Sequence, residues 1–141
     1  MAETGAVTPL TDEVAAAIDA GTASSTINGP SVSPSPGMAM IPEIQVSKSY
    51  SQVTLVTMIA PSPDWFVGVN GLSLWEDGDW VESKTVELHA YDAGTEEGTG
   101  FSISNSDTTP HEPIQSLSDH SLGSFTFIRL PNLEHRLYLP C

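Results

Sequence analysis

Three carboxylates occupy positions from which they could do chemistry together. Asp64 lies in Pro61-Ser62-Pro63-Asp64-Trp65, directly after a β-type run. Asp92 and Glu96 lie in Tyr91-Asp92-Ala93-Gly94-Thr95-Glu96-Glu97, directly after another. If the ends of those strands are neighbours, the three side chains converge at one end of a sheet. Carboxylates packed together need a cation or a proton, and hard oxygen ligands from loops are what Ca²⁺ prefers. The same spacing also describes a solvated acidic loop in which Asp64 merely caps a turn. Spacing by itself leaves both readings open.

Other chemistry finds little support. His89, His111, His120 and His135 are scattered without metal-type spacing and read as surface or packed histidines. The single cysteine, Cys141, allows no internal disulfide and no Cys/His zinc site. The chain contains no GxSxG elbow, HExxH, GxGxxG, P-loop or EF-hand pattern. The many serines have no His/Asp arrangement that would single one out. Carboxylates are so abundant that any chosen pair is weak evidence for acid–base catalysis. No enzymatic activity is expected, because neither a nucleophile nor a base is specified.

Charge narrows the partners. Asp and Glu number 18 against 4 Lys and Arg, a formal net charge of −14. Such a surface repels phosphate backbones and anionic membranes, so no nucleic acid is expected as a partner. Cations, divalent ones above all, are its natural small partners; the alternative is a strongly solvated acidic surface suited to a salty medium. Met1 to Leu10 is polar and acidic, with no secretory signal pattern, and no apolar run is long enough to span a bilayer.

The elements that must position these residues are mostly strands. A length of 141 residues suits one domain spanning 1–141. Leu10, Val14, Ala17 and Ile18 form one apolar stripe, which predicts a short helix over 10–20. Thr8 or Thr11 is placed to cap it, Pro9 suits its first turn and Gly21 its end. Residues 22–43 are rich in Pro and Ser, without periodicity, and read as a long loop. Strands are expected at 53–59, 65–69, 80–91 and 124–130, the first of them covered on both faces. Asn70-Gly71 and Asp77-Gly78 read as turns. Leu55, Val56, Phe66, Val86, Leu88, Phe125 and Phe127 are the expected core. The fold class is therefore all-β, an antiparallel β-sandwich with one short N-terminal helix.

The run Met58-Ile59-Ala60-Pro61-Ser62-Pro63-Asp64-Trp65-Phe66-Val67-Gly68 resembles the spondin domain of F-spondin and mindin, which also occurs in bacterial proteins. Trp80-Val81 fits the same pattern. Tyr91-Asp92-Ala93-Gly94-Thr95-Glu96 is similar to the family's Trp-Asp-Ala-Gly-Thr-Asp loop, and Pro113-Ile114 loosely matches a Pro-x-x-Pro-Ile segment. The likeness runs from about Val46 to Leu130, more weakly through Thr11 to Gly21. It implies a C2-like sandwich with a calcium ion held by Asp64, Asp92 and Glu96. It also implies a secreted, extracellular adhesion or binding module whose partner is an extracellular protein or a cell-surface or matrix component. Glu96 stands where the family has Asp, one methylene shorter. The cysteine pair of the animal domains is missing near Trp75 and Gly78. The family also has strands ahead of the helix, so the chain is read as a partial or truncated member.

Three functions are thus distinguished. The leading one is a non-catalytic, calcium-binding extracellular module. The second is a purely structural sandwich of a larger secreted protein, in which the metal only ties loops together. The third, an enzyme built on the carboxylate cluster, ranks last.

Overall fold

The computed structural model describes residues 1–34, 36–103 and 106–131. His135 and Cys141 lie outside the described residues. A 12-residue helix, α1 (Thr8–Asp19), opens the fold. Val7 precedes it without a side-chain capping bond. Thr11 does not cap; its hydroxyl donates back to the carbonyls of Val7 and Thr8, at 3.2 and 3.0 Å. The end is as the sequence predicts. Gly21 takes φ +71°, and the N–H groups of Gly21 and Thr22 close on the carbonyls of Ile18 and Ala17 at 2.9 Å, the left-handed ending that glycine permits. Val14, Ala17 and Ile18 are half-buried, whereas Leu10 is exposed. The Tyr50 hydroxyl holds the helix end by donating to the Gly21 carbonyl at 3.0 Å.

Among the described residues eight antiparallel strands follow: β1 (Gln52–Met58), β2 (Trp65–Ser73), β3 (Trp75–Glu76), β4 (Asp79–Trp80), β5 (Ser83–Leu88), β6 (Ala90–Asp92), β7 (Gln115–Ser116) and β8 (Gly123–Ile128). One sheet has the order β1-β2-β6-β7, a second pairs β5 with β8, and β3-β4 is a small hairpin. β5 packs against β2. The fold is an all-β sandwich with one helix, the class expected.

Several details differ from the sequence reading. The stretch 80–91 is not one strand. It divides into the end of β4, then β5, then β6, and at His89 the chain passes from the sheet of β8 to the sheet of β2. Val86, Leu88 and Ala90 keep the inward alternation across that break, so the period of two survives while the hydrogen-bonding partner changes. β1, expected to be covered on both faces, is the edge of its sheet, and Thr54 and Thr57 are exposed. Asp77-Gly78 is a two-residue hairpin turn with φ of 51° and 87°, the geometry favoured for joining twisted strands. Asn70-Gly71 is not a turn but lies inside β2. It faces the register irregularity between Val53 and Leu55, where Gly71 takes φ +62° and donates to Thr54 Oγ1 at 3.1 Å.

The core is built from Trp65, Val67, Leu74, Leu88 and Ala90, with Ala2 from the N-terminal segment. Of the expected core, Leu88 is buried, while Leu55, Val56, Phe66, Val86, Phe125 and Phe127 are half-buried. In β2 the inward face is therefore Trp65 and Val67 rather than Phe66. Phe66 instead stacks on its cross-strand partner Tyr91, centroids 5.6 Å apart. Burying Val67, Leu74 or Leu88 contributes about 1.5–3 kcal/mol each, and the alanines less.

Candidate functional site

The site grows from the register between β2 and β6. Trp65 pairs with Asp92, so Asp64, one residue before β2, and Asp92, the last of β6, stand at the same end of the sheet. The turn before β2 is tight. Ile59 N–H donates to the Trp65 carbonyl at 2.9 Å. Ser62 Oγ bonds the Ile59 carbonyl and accepts Trp65 N–H at 3.2 Å. Ser62, Pro63 and Asp64 are the most deeply buried side chains described, Asp64 with 0% exposure.

A carboxylate so placed must find donors, and Asp64 takes them from the opposite loop. Its Oδ2 accepts Thr95 N–H at 2.6 Å, the Thr95 hydroxyl at 3.1 Å and Glu96 N–H at 3.1 Å. Its backbone carbonyl accepts Ala93 N–H at 3.3 Å. Asp92 shapes the same loop from within, its Oδ1 accepting Gly94 N–H at 2.7 Å. Asp64 Oδ1 is buried and has no hydrogen-bond partner.

A third segment closes the loop from the far side. Glu112 N–H donates to the Gly94 carbonyl at 2.8 Å, Thr108 N–H to the Thr95 carbonyl at 2.9 Å, and Glu97 N–H to the Ser106 carbonyl at 2.7 Å. Glu96 forms a β-bridge with Asp107. Gly94 is required here twice over. Its φ is +75°, and a Cβ on it would stand 2.2 Å from the Glu112 carbonyl oxygen. A cavity of about 280 Å³ opens beside the loop, and Asp92, Glu96, Glu97 and Glu112 are among the residues that line it.

The three sequence-predicted residues thus share one end of the sheet in different roles. Asp64 lies beneath the loop and grips its backbone, whereas Asp92 and Glu96 line the cavity. As the side chains stand, no group of three or more His, Cys, Asp or Glu among the described residues is placed to hold a metal ion together. The donor chemistry nevertheless suits a hard cation. Asp64 Oδ1, a buried acceptor left without a donor, is the observation that fits one. Sequence reading missed Ser62, Gly94, Thr95 and Glu112. Gly94 and Thr95 lie inside the motif already noted, where an Asp-x-Gly turn is the signal for a left-handed residue. Glu112 carries no local signal, since its place depends on the return of the chain.

The described basic groups are elsewhere. Lys48 stands over the Trp75 ring at 4.2 Å, Lys84 pairs with Glu76, and Arg129 pairs with Glu82 at 2.9 Å and reaches Asp79 at 3.7 Å. Among the described residues no ion pair involves Asp64, Asp92, Glu96, Glu97 or Glu112. No helix among them is long and apolar enough to cross a membrane.

A family model described as Spondin_N matches residues 1–126. Spondin-2 of Rattus norvegicus and of Homo sapiens are each 39% identical over 95 residues, which cover 64% of this chain and 29% of those proteins. Spondin-1 of Gallus gallus is 35% identical over 86 residues, covering 59% of this chain and 11% of that protein. The chain thus spans less than a third of the length of these curated relatives. Because the matched span takes in α1, both halves of the Asp64 site and all but the end of β8, the chain belongs to the Spondin_N family.

Proposed function

We propose that this chain is a non-catalytic, extracellular binding or adhesion module that holds a calcium ion beside the loop 92–97. The observation that carries the calcium reading is Asp64 Oδ1, fully buried and unpartnered, on a residue that grips the backbone of the same loop whose Asp92 and Glu96 line an acidic cavity. An unsatisfied buried acceptor costs about 1–3 kcal/mol, and a cation bound to it would remove that cost. Asp64, Asp92 and Glu96 would supply the protein oxygens, and loop carbonyls and water the remainder. The ion would pin three segments, 59–64, 92–97 and 106–112, into one surface for a cell-surface or matrix partner. Secretion and the matrix setting follow from family membership as part of this reading.

A narrower reading, a structural sandwich that needs no partner, is favoured by one observation. Asp64 already ties the turn before β2 to the loop after β6 through three hydrogen bonds of its own.

Thermal melting in calcium, in magnesium and in chelator tests the proposal. Binding to the folded state alone raises stability by about 2.7 kcal/mol at a hundredfold excess over Kd, so the midpoint should climb steadily with calcium. A midpoint unchanged from chelator to millimolar calcium would remove the ion from the account.

A further inference from the structure

Two cavities adjoin at the Asp92 end of the sheet. One is the acidic cavity beside the loop 92–97. The other, about 390 Å³, is walled by Ile59, Trp65, Phe101, Leu117 and Leu122. Asp92 and Gly98 line both, so an apolar hollow and an acidic one share a rim.

The apolar walls are open to solvent. Phe101 is 73% exposed, Leu122 60% and Leu117 41%. Phe101 is nonetheless held in place, resting edge-on against the buried Trp65 ring with centroids 5.3 Å apart. An exposed apolar cluster rimmed by polar groups marks an interaction surface, and an aromatic supported from behind is a suitable anchor. The adjoining carboxylates of Asp92, Glu96, Glu97 and Glu112 belong to no ion pair with the described Lys and Arg residues. Among the described residues no cation meets their charge, which suits a cationic partner.

We propose that this composite face binds a peptide segment in which an apolar side chain neighbours an Arg or Lys. The apolar group would enter the cavity beside Trp65 and Phe101, and the cation would lie on the acidic wall. Charge complementarity selects this occupant. A second copy of a chain with net charge −14 or an anionic lipid surface would meet like charge. The inference rests on the reading of the chain as a binding module but not on its metal. One divalent ion would offset two of the four formal charges and leave the wall anionic.

The test is a heteronuclear NMR titration of the whole chain with the peptide acetyl-Gly-Phe-Arg-Leu-Lys-Gly-amide, run in calcium and again in chelator. Saturable shifts are expected at residues 98–101, Leu117, Leu122 and the Trp65 indole in both buffers. Phe101→Ala, and the pair Glu97→Gln with Glu112→Gln, should each weaken binding at least fivefold. Phe101 is exposed enough for its variant to fold, which the spectrum itself reports. Exchanging the Arg and Lys of the peptide for Gln should weaken binding similarly. No saturable shift, shifts confined to another face, or equal binding of the Gln peptide would overturn the proposal. So would shifts at this face that depend on protein concentration and not on peptide, which would assign it to a second copy. Loss of calcium binding with peptide binding retained would contradict the metal alone, and the reverse would contradict this inference alone.

Discussion

Replacing Asp64 by Ala tests the clamp that joins the two halves of the site. The substitution strands two backbone donors, Thr95 N–H and Glu96 N–H, while the Thr95 hydroxyl can rotate away. A buried donor left unpaired costs about 1–3 kcal/mol, so the two together cost about 2–6. Removing Asp64 Oδ1, itself buried without a partner, returns about 1–3 kcal/mol on the same scale. Taken midpoint against midpoint the net loss is about 2 kcal/mol, a sizeable share of the 5–15 typical of a domain. Asp64→Asn separates charge from shape. Its amide oxygen can still face the three donors, so the cost should fall to about 1 kcal/mol, the difference between charged and neutral acceptors. Urea unfolding followed by tryptophan fluorescence measures both. Losses in the order Ala greater than Asn are expected. A loss below about 0.5 kcal/mol for Asp64→Ala would show that the loop is held by other contacts and would refute this reasoning.

Gly94→Ala should be destabilising by about 1–3 kcal/mol from its φ alone, and more because its Cβ meets the Glu112 carbonyl; an unchanged urea midpoint would contradict the close approach. Leu88→Ala should cost about 2–5 kcal/mol, and Val86→Ala, half-buried on the same strand, clearly less; equal losses would mean that the core has been misplaced. Glu96→Asp should leave calcium affinity within about threefold of the parent, since Glu96 N–H, not its side chain, is what Asp64 grips and either carboxylate is a hard ligand. Calorimetry would detect a larger loss.

The elements were legible where a local pattern forced them. The helix end at Gly21, the hairpin at Asp77-Gly78 and the inward alternation of Val86, Leu88 and Ala90 each follow from residue type and period. The change of sheet at His89 was not legible, because alternation continues through it and only the hydrogen-bonding partner changes. The inward face of β2 was ambiguous for a similar reason. Trp65 and Val67 on one side and Phe66 on the other are all apolar, and pattern cannot choose between two apolar faces. At the site, sequence put Asp64 and the Asp92–Glu96 loop each after a strand and left open whether those strand ends are neighbours; the register of Trp65 with Asp92 decides that they are. That Asp64 spends one oxygen on the loop backbone depends on a contact 31 and 32 residues away. Glu112 enters the cavity wall through contacts that only the folded chain provides.

Calorimetric titration of calcium into the parent chain and into Asp92→Asn tests the central claim most directly. Asp92 lines the cavity and holds Gly94 through Oδ1, so Asn keeps the turn but removes a ligand charge. The account predicts saturable binding near one ion per chain for the parent and at least tenfold weaker binding for the variant. Equal affinities, or no binding by either, would contradict it.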